Sequence, residues 1–148
     1  MANNIVVVGV DGTRTSILGA REALWLAGQL SAELHLVNVA GLTETSSEHG
    51  LAEVLMEGVL EGVTRDDDGD TKIITAITYG SPAAALIAYA DEVDATILVA
   101  GNRQMKGLGR MLGSVGAQIA RDANCAVYIP RTVEQLADEE AAADDQDG

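Results

Sequence analysis

The sequence predicts an α/β fold, a single open sheet of five parallel strands with helices on both faces. Strand-like runs alternate with helix-like stretches along the chain, and that alternation is typical of a parallel sheet. The first and fourth runs are almost continuously apolar, as expected for strands covered on both faces. The second alternates apolar and polar residues, which predicts greater exposure on one side. The five runs are Ile5–Val10, Glu33–Val39, Lys72–Thr78, Ala95–Ala100 and Cys125–Pro130.

Four helices are predicted between these runs. Apolar residues three to four apart mark the first, from Ile17 to Leu30, and the second, from Ala52 to Val63. Ser81-Pro82 is a favourable start for the third, and the fourth begins near Ser114. Two aromatic residues in the helical stretches, Trp25 and Tyr89, are expected to be packing residues rather than platforms on which a base stacks. Residues 43–50 are interpreted as a polar loop or a frayed helix start.

Length and charge limit the class of protein. The 148 residues suit one domain, predicted over residues 1–133, with residues 134–148 forming an acidic tail that we expect to be disordered. The net charge is −14, and half of it follows Val133. Such a surface disfavours binding to nucleic acid or to anionic lipid. Residues 64–70 (TRDDDGD) could hold a cation, but the pattern favours a plain exposed loop.

The cysteine count and the hydropathy pattern indicate a compartment. Cys125 is the one cysteine, so no disulfide forms within the chain, and it is expected to act as a small buried hydrophobe. The N-terminus carries no signal-like segment, and no apolar run approaches 18 residues. We therefore expect a cytoplasmic protein with no membrane partner.

The glycine-rich stretch after the fourth strand is the strongest indication of function. Gly101, Gly107 and Gly109 precede Gly113-Ser114-Val115, which opens a helix, and Arg103, Lys106 and Arg110 add positive charge. Glycines let a ligand approach the backbone, and the first N–H groups of a helix attract anions. A flexible turn is the alternative interpretation.

Asp11 lies at the end of the first strand. In open α/β sheets, ligands bind beyond the carboxyl ends of strands where the strand order reverses, so Asp11 and Gly101 would face one crevice if the first and fourth strands are neighbours. The Asp11 carboxylate could accept hydrogen bonds from a ribose or a base. It could equally form an Asx-turn or cap the following helix. Arg103 could bind a phosphate or pair with Asp11 or another acid.

Four segments in order resemble the universal stress protein family over residues 3–131. They are VVVGVDGTRTS at Val6–Ser16, HLVNV at His35–Val39, YGSPAAALIAYADEVDATILVAGNR at Tyr79–Arg103, and GRMLGSVGAQIARDANCAVYIPR at Gly109–Arg131. The resemblance implies the strand order 3-2-1-4-5 of an adenine-nucleotide α-hydrolase-like fold. It also implies a homodimer paired through the last strand, here Cys125, Ala126, Val127, Tyr128, Ile129, Pro130 and Arg131.

The resemblance further implies that ATP or another adenine nucleotide binds, with Mg²⁺ accompanying it. By matched position, Asp11 and the backbone near Val39 would contact adenine and ribose, beside Gly9 at the end of the first strand. Gly113, Ser114 and Val115 would contact the phosphates. The residues expected to complete the ribose and phosphate site are Gly101, Asn102, Arg103 and Gly107.

The chain departs from the family's nucleotide-binding pattern, Gly-x2-Gly-x9-Gly-Ser/Thr. Gln104 replaces the second glycine, and the interval between Gly101 and Gly113 is one residue short. Two functions therefore stay open, a nucleotide-binding regulatory module or an interaction protein whose site has degenerated. An enzyme is disfavoured beyond slow ATP hydrolysis, because the chain lacks a Walker-type Gly-Lys-Ser/Thr. His35 is expected on a strand surface and His49 in a mobile loop, both away from the glycine-rich loop.

Overall fold

The computed structural model describes residues 3–67, 69–100 and 113–130. Strands and helices alternate along these residues as the sequence predicts, although four of the strands are shorter than expected. The order is β1 (Ile5–Gly9), α1 (Arg14–Leu30), β2 (Glu33–Val39), α2 (Ser46–Thr64), β3 (Ile73–Thr78), α3 (Pro82–Glu92), β4 (Ile97–Val99), α4 (Ser114–Asp122) and β5 (Ala126–Tyr128).

The five strands form one parallel sheet in the order β3-β2-β1-β4-β5, which confirms the predicted topology. Strands β2 and β3 are added in turn on one side of β1, and β4 and β5 are then added on its other side. The strand order thus reverses between β1 and β4, where Val7 pairs with His35 on one side and Leu98 on the other. This is where an open α/β sheet leaves a crevice.

Helices cover both faces of the sheet. On one face, α1 and α2 bury a core that includes Val6, Leu34 and Leu36 from the strands. On the other, α3 and α4 bury a second core around Val7 and Leu98. The expectation that β2 is more exposed on one side was wrong, because its five central residues are all buried between these layers.

His35 is one of those buried residues and does not lie on a strand surface. Its Nδ1 is 2.8 Å from the Tyr89 hydroxyl on α3, and its Nε2 is 3.2 Å from Glu33 Oε2. Lys72 Nζ lies 3.5 Å from the other Glu33 oxygen. The hydrogen bond from His35, with help from Lys72, lowers the pKa of Glu33. Neutral imidazole can accept from Tyr89 and donate to Glu33, so both ring nitrogens have partners.

The segment of residues 43–50 is mostly helix. Thr45 is the N-cap of α2, since its Oγ1 accepts a 3.2 Å hydrogen bond from the Glu48 amide and donates to the Glu48 carboxylate. His49 therefore lies in the first turn of α2 and not in a mobile loop. Its Nδ1 is 2.8 Å from the Tyr79 hydroxyl, and its Nε2 is 2.9 Å from Glu53.

Trp25 is 56% exposed on α1, so the expectation that it is a packing residue was wrong. Tyr89 does pack against the α3–α4 core, as does the half-buried Cys125, whose pKa is raised by burial. Within the described ranges, no helix is long and apolar enough to cross a membrane.

Candidate functional site

A cavity of about 310 Å³ opens at the carboxyl ends of β1 and β4, at the reversal of strand order. Its walls come from β1, β2 and β4 and from the amino-terminal turns of α1, α3 and α4. Most of the wall is apolar, and polar groups enter at the start of α1 and the start of α4. The described residues that line it are Gly9, Val10, Asp11, Thr13, Thr15, Ser16, Val37, Val39, Pro82, Leu86, Val99, Gly113, Val115, Gly116 and Ile119.

Asn38 fixes the place where β1 ends and the cavity begins. Its side-chain amide donates a 2.8 Å hydrogen bond to the Val10 carbonyl, while the Val10 amide donates to the Val37 carbonyl at 2.8 Å. Asn38 is only 5% exposed. Asn38 is not among the site residues predicted from the sequence. Its place inside the apolar run HLVNV was a signal, since a buried amide needs a specific partner.

Asp11 forms an Asx-turn ahead of α1, which is one of the three roles considered for it. Its Oδ1 accepts hydrogen bonds from the Thr13 amide at 2.9 Å and the Thr13 hydroxyl at 2.6 Å. Thr13, not Asp11, is the N-cap of α1 and accepts from the Ser16 amide at 3.2 Å. The Ser16 hydroxyl closes the network by accepting from the Asp11 amide at 3.2 Å. This network holds the exposed carboxyl group at the mouth of the cavity.

Two glycines shape the same corner. Gly12 has φ +84°, a left-handed conformation that side chains disfavour, and the turn from β1 into α1 depends on it. At Gly9 a Cβ atom would lie 2.6 Å from Leu86 Cδ1 on α3. The absence of a side chain there lets α3 pack against the end of β1 and form one wall of the cavity.

The amino terminus of α4 supplies the polar groups opposite Asp11. Gly113 is the N-cap and has no side chain to satisfy the first turn. The first hydrogen bond of the helix runs from the Ala117 amide to the Gly113 carbonyl at 2.9 Å. The preceding N–H groups, of Ser114, Val115 and Gly116, have no acceptor within the helix and lie at its positive end. Gly113, Val115 and Gly116 line the cavity, whereas the Ser114 side chain is exposed beside it.

The arrangement suits a small ligand with an apolar part and an anionic part. Apolar walls at Val37, Val39 and Leu86 would take the first, and the start of α4 would take the second. Of the residues predicted to bind nucleotide, the structure brings together Gly9, Asp11, Val39, Gly113 and Val115. Ser114 is exposed beside the cavity and is not on its lining. The remaining four, Gly101, Asn102, Arg103 and Gly107, lie outside the described residues, as do Gln104, Lys106 and Arg110.

In the described part of the chain, no group of three or more histidine, cysteine or acidic residues could hold a metal ion. Neither His35 nor His49 lines the cavity. Their Nδ1 atoms lie 2.8 Å from the hydroxyls of Tyr89 and Tyr79.

The sequence profile of the universal stress protein family matches residues 2–131. This chain belongs to that family. Similar relatives include a universal stress protein of Methanocaldococcus jannaschii, 27% identical over 135 residues, which span 84% of this chain and 79% of the relative. The universal stress protein YxiE of Bacillus subtilis is 29% identical over 146 residues, covering 86% of this chain and 99% of the relative.

Solved structures agree with this membership in the universal stress protein family. The crystal structure of a universal stress protein in complex with cAMP is 30% identical and covers 89% of this chain and 99% of its own, with a TM-score of 0.71. A universal stress protein of Archaeoglobus fulgidus in complex with dAMP is 20% identical and covers 87% of this chain and 98% of its own, with a TM-score of 0.70. This second similarity supports the fold.

Proposed function

We propose that this universal stress protein binds an adenine nucleotide in the cavity between β1 and β4 and acts as a regulatory or sensor module in the stress response. The observation that carries the proposal is the start of α4, where helix N–H groups without an intrahelical acceptor lie at the wall of a mostly apolar cavity of about 310 Å³. Support comes from the structural neighbour with 30% identity, which is in complex with cAMP.

The proposed roles follow the position of each residue. The walls formed by Gly9 and Val39 would contact the adenine and the ribose, and Asp11 would accept hydrogen bonds from the ribose hydroxyls. The backbone of Gly113, Ser114 and Val115 would contact the phosphates. Gly101, Asn102, Arg103 and Gly107 would complete the phosphate site from the glycine-rich loop, and Mg²⁺ would neutralise part of the charge of ATP.

Two features of the loop favour a second function, an interaction protein that works without nucleotide. Gln104 carries a side chain where the family pattern has glycine, and the interval from Gly101 to Gly113 is one residue short. Both changes would restrict the approach of the backbone to phosphate.

We further propose that the protein is a cytoplasmic homodimer and has no catalytic turnover beyond slow ATP hydrolysis. Phosphoryl transfer needs groups that neutralise the transferred phosphoryl and position its acceptor. Asp11 is the one ionisable side chain on the described lining of the cavity, and it is acidic. The described lining therefore offers binding groups and no cationic side chain for transfer.

Calorimetric titration of nucleotide-stripped protein tests the proposal. ATP, ADP, AMP and cAMP would each be titrated with and without Mg²⁺. Ser114→Asp places a negative charge at the start of α4, which favours the helix but repels phosphate, so affinity should fall roughly ten-fold or more without loss of stability. Ala120→Asp is the control, since it adds the same charge at an exposed position further along α4.

The two functions predict different results. Binding that Ser114→Asp weakens and Ala120→Asp preserves supports the nucleotide module. Gly113→Val, which adds a side chain to the N-cap position on the lining, should also abolish it. Absence of heat with every nucleotide up to millimolar concentration would overturn the nucleotide module and favour the interaction protein.

A further inference from the structure

Helix α2 carries an exposed apolar stripe in addition to its buried side. The buried residues of α2 recur every three or four positions and are Ala52, Met56, Val59 and Val63. Leu51, Val54 and Leu55 lie together on a different side of the helix, because residues three and four apart are neighbours on its surface. We call these three residues the outer stripe. Leu51 is 72% exposed and Val54 is 68% exposed. Such an exposed apolar surface indicates a site that another molecule covers.

A groove of about 530 Å³ runs beside the outer stripe, between α2 and the start of α1. Its lining includes Gly12, Thr13 and Ile17 on the α1 side and Val54, Leu55 and Gly58 on the α2 side. Gly58 widens the groove, because it is exposed and a Cβ atom there would meet nothing within 4 Å. The groove and the outer stripe therefore form one apolar surface with room for large side chains from another chain.

The charge along this surface is acidic on the α2 side. Helix α2 contains glutamates but no lysine or arginine. Glu57 and Glu61 are both exposed, and they follow Val54 and Gly58 by three residues each, so they border the groove. Among the described residues, neither glutamate forms a hydrogen bond or an ion pair. On the α1 side, the Arg21 Nε already donates to a backbone carbonyl of α2 at 3.0 Å. The surface therefore favours an occupant with basic side chains.

We propose that the groove between α1 and α2 binds an amphipathic helix of a partner protein, with apolar side chains on one face and lysine or arginine along its edge. Apolar side chains of that helix would cover Leu51 and Val54 and enter the groove over Gly58. Its basic side chains would pair with Glu57 and Glu61. Helices dock in this way when side chains three and four residues apart fit into an apolar groove.

The groove lies next to the candidate nucleotide site. Asp11 and Thr13 line both the groove and the cavity, so a helix in the groove would contact the turn at which the cavity begins. The apolar residues of the groove, Ile17, Val54 and Leu55, do not line the cavity. Docking of the partner helix therefore does not depend on nucleotide binding.

A second copy of the protein is a poorer occupant of this surface. A two-fold contact through the outer stripe would bring the glutamates of one α2 against those of the other, and like charges repel. Because α2 has no lysine or arginine, that helix offers no side chain to offset the repulsion. A partner with basic residues avoids this cost.

A fluorescein-labelled peptide of leucine and lysine, with the leucines at helical spacing, tests the proposal by fluorescence anisotropy. The same peptide with glutamate in place of lysine should bind the full chain at least about ten-fold more weakly. Gly58→Lys should weaken binding of the lysine peptide about ten-fold or more, because it fills the groove and adds positive charge. The fold should tolerate this change, since the space is open and lysine favours a helix.

Gly28→Lys is the matched control. It makes the same replacement at an exposed glycine of α1, about 16 Å along the helix from Ile17. A Cβ atom there would make only an ordinary contact with Thr71 Oγ1, at 3.8 Å. The net charge changes equally in the two variants, so the control should bind the lysine peptide within about two-fold of the wild type. Val54→Ser removes apolar surface without changing charge and should weaken binding several-fold.

Amide chemical shifts of isotopically labelled protein locate the bound peptide, and circular dichroism checks that each variant is folded. Changes centred on Ile17, Val54 and Gly58 support the proposal. Equal weakening by Gly58→Lys and Gly28→Lys would overturn it, since charge alone would then explain binding. Absence of saturable binding at millimolar peptide would also overturn it. So would a doubled mass without peptide that Gly58→Lys abolishes, because a second copy would then occupy the groove.

Discussion

The Asn38 side-chain amide lies 2.8 Å from the Val10 carbonyl oxygen and donates a hydrogen bond to it. Asn38 has the same parity along β2 as Leu34 and Leu36, which face α1 and α2, whereas the neighbouring Val37 and Val39 line the cavity. The Asn38 side chain, on the α1–α2 face of the sheet, thus fixes the Val10 backbone, and the cavity begins at that point. Asp11 follows Val10 directly, so the position of its carboxyl group depends on this hydrogen bond.

Asn38→Ala should lower the free energy of unfolding by about 1–3 kcal/mol, because the Val10 carbonyl would lose its donor in a buried setting. Urea unfolding measures the loss. Asn4→Ala is the control, since the Asn4 side-chain amide donates to the Leu30 carbonyl at 3.2 Å in an exposed setting. This substitution should lower the free energy of unfolding by less. Equal costs for the two variants would contradict a special role for Asn38.

Two tyrosine–histidine pairs provide a matched comparison. The hydroxyls of Tyr89 and Tyr79 each lie 2.8 Å from a histidine Nδ1, but the side chain of His35 is 7% exposed and that of His49 is 43% exposed. Tyr89→Phe leaves the buried Nδ1 of His35 without its partner, so the free energy of unfolding should fall by about 1–3 kcal/mol. In Tyr79→Phe, water can replace the lost hydroxyl, so the free energy of unfolding should fall by less. Thermal or urea unfolding of both variants decides this, and a cost at Tyr79 that matched Tyr89 would count against the argument.

Glu33 should make stability depend on pH. Its pKa in the folded protein is lowered, first by the hydrogen bond from His35 and then by Lys72. A lowered pKa contributes stability that is present above the ordinary glutamate pKa of about 4.3 and is lost as pH falls through the lower folded value. Urea midpoints measured from pH 6 to pH 3 should therefore fall more steeply for the wild type than for Glu33→Gln. Parallel curves would show that the interaction contributes nothing.

Gly12 and Gly58 should respond to alanine in opposite directions. Gly12 has φ +84°, and a Cβ there would lie 3.1 Å from Leu55 Cδ1. Gly12→Ala should therefore lower the free energy of unfolding by about 1 kcal/mol or more. Gly58 lies within α2, and a Cβ there meets nothing within 4 Å. Gly58→Ala should stabilise the protein by about 0.5–1 kcal/mol through helix propensity. Melting temperatures measure both changes, and destabilisation by Gly58→Ala would contradict the open space around it.

The fold follows from local patterns more completely than the site does. In the part of the chain that the structure describes, apolar runs and helical spacing predict every strand and helix, because the pattern that identifies each element lies within that element. They do not predict what covers a residue from elsewhere in the chain. The alternation of Glu33, Leu34 and His35 is the pattern of a half-exposed strand, yet His35 is buried against Tyr89, 54 residues away. Helical spacing likewise places Trp25 on a helix without showing that its face is outward.

In the candidate site too, local sequence patterns predict some residues, whereas contacts between distant parts of the chain are not predicted. Asp11 and Gly113 were predicted as site residues because they end a strand and begin a helix, which are local signals. Asn38 was not, because its importance depends on the Val10 carbonyl, which lies just beyond the end of the neighbouring strand β1. Contacts between strands depend on register, and register is set by the assembled sheet.

The proposed dimer through the last strand predicts a specific effect at Ile129. In the described part of the chain, β5 pairs with β4 alone, so its other edge is open to a second copy. Ile129 is 39% exposed just beyond this strand, and Ile129→Asp should convert a dimer into a monomer by placing charge in the interface. Light scattering at tens of micromolar measures the mass. Leu60→Asp is the control, because Leu60 is 36% exposed on α2, away from that edge. A wild-type monomer, or equal dissociation by the two variants, would refute pairing through β5.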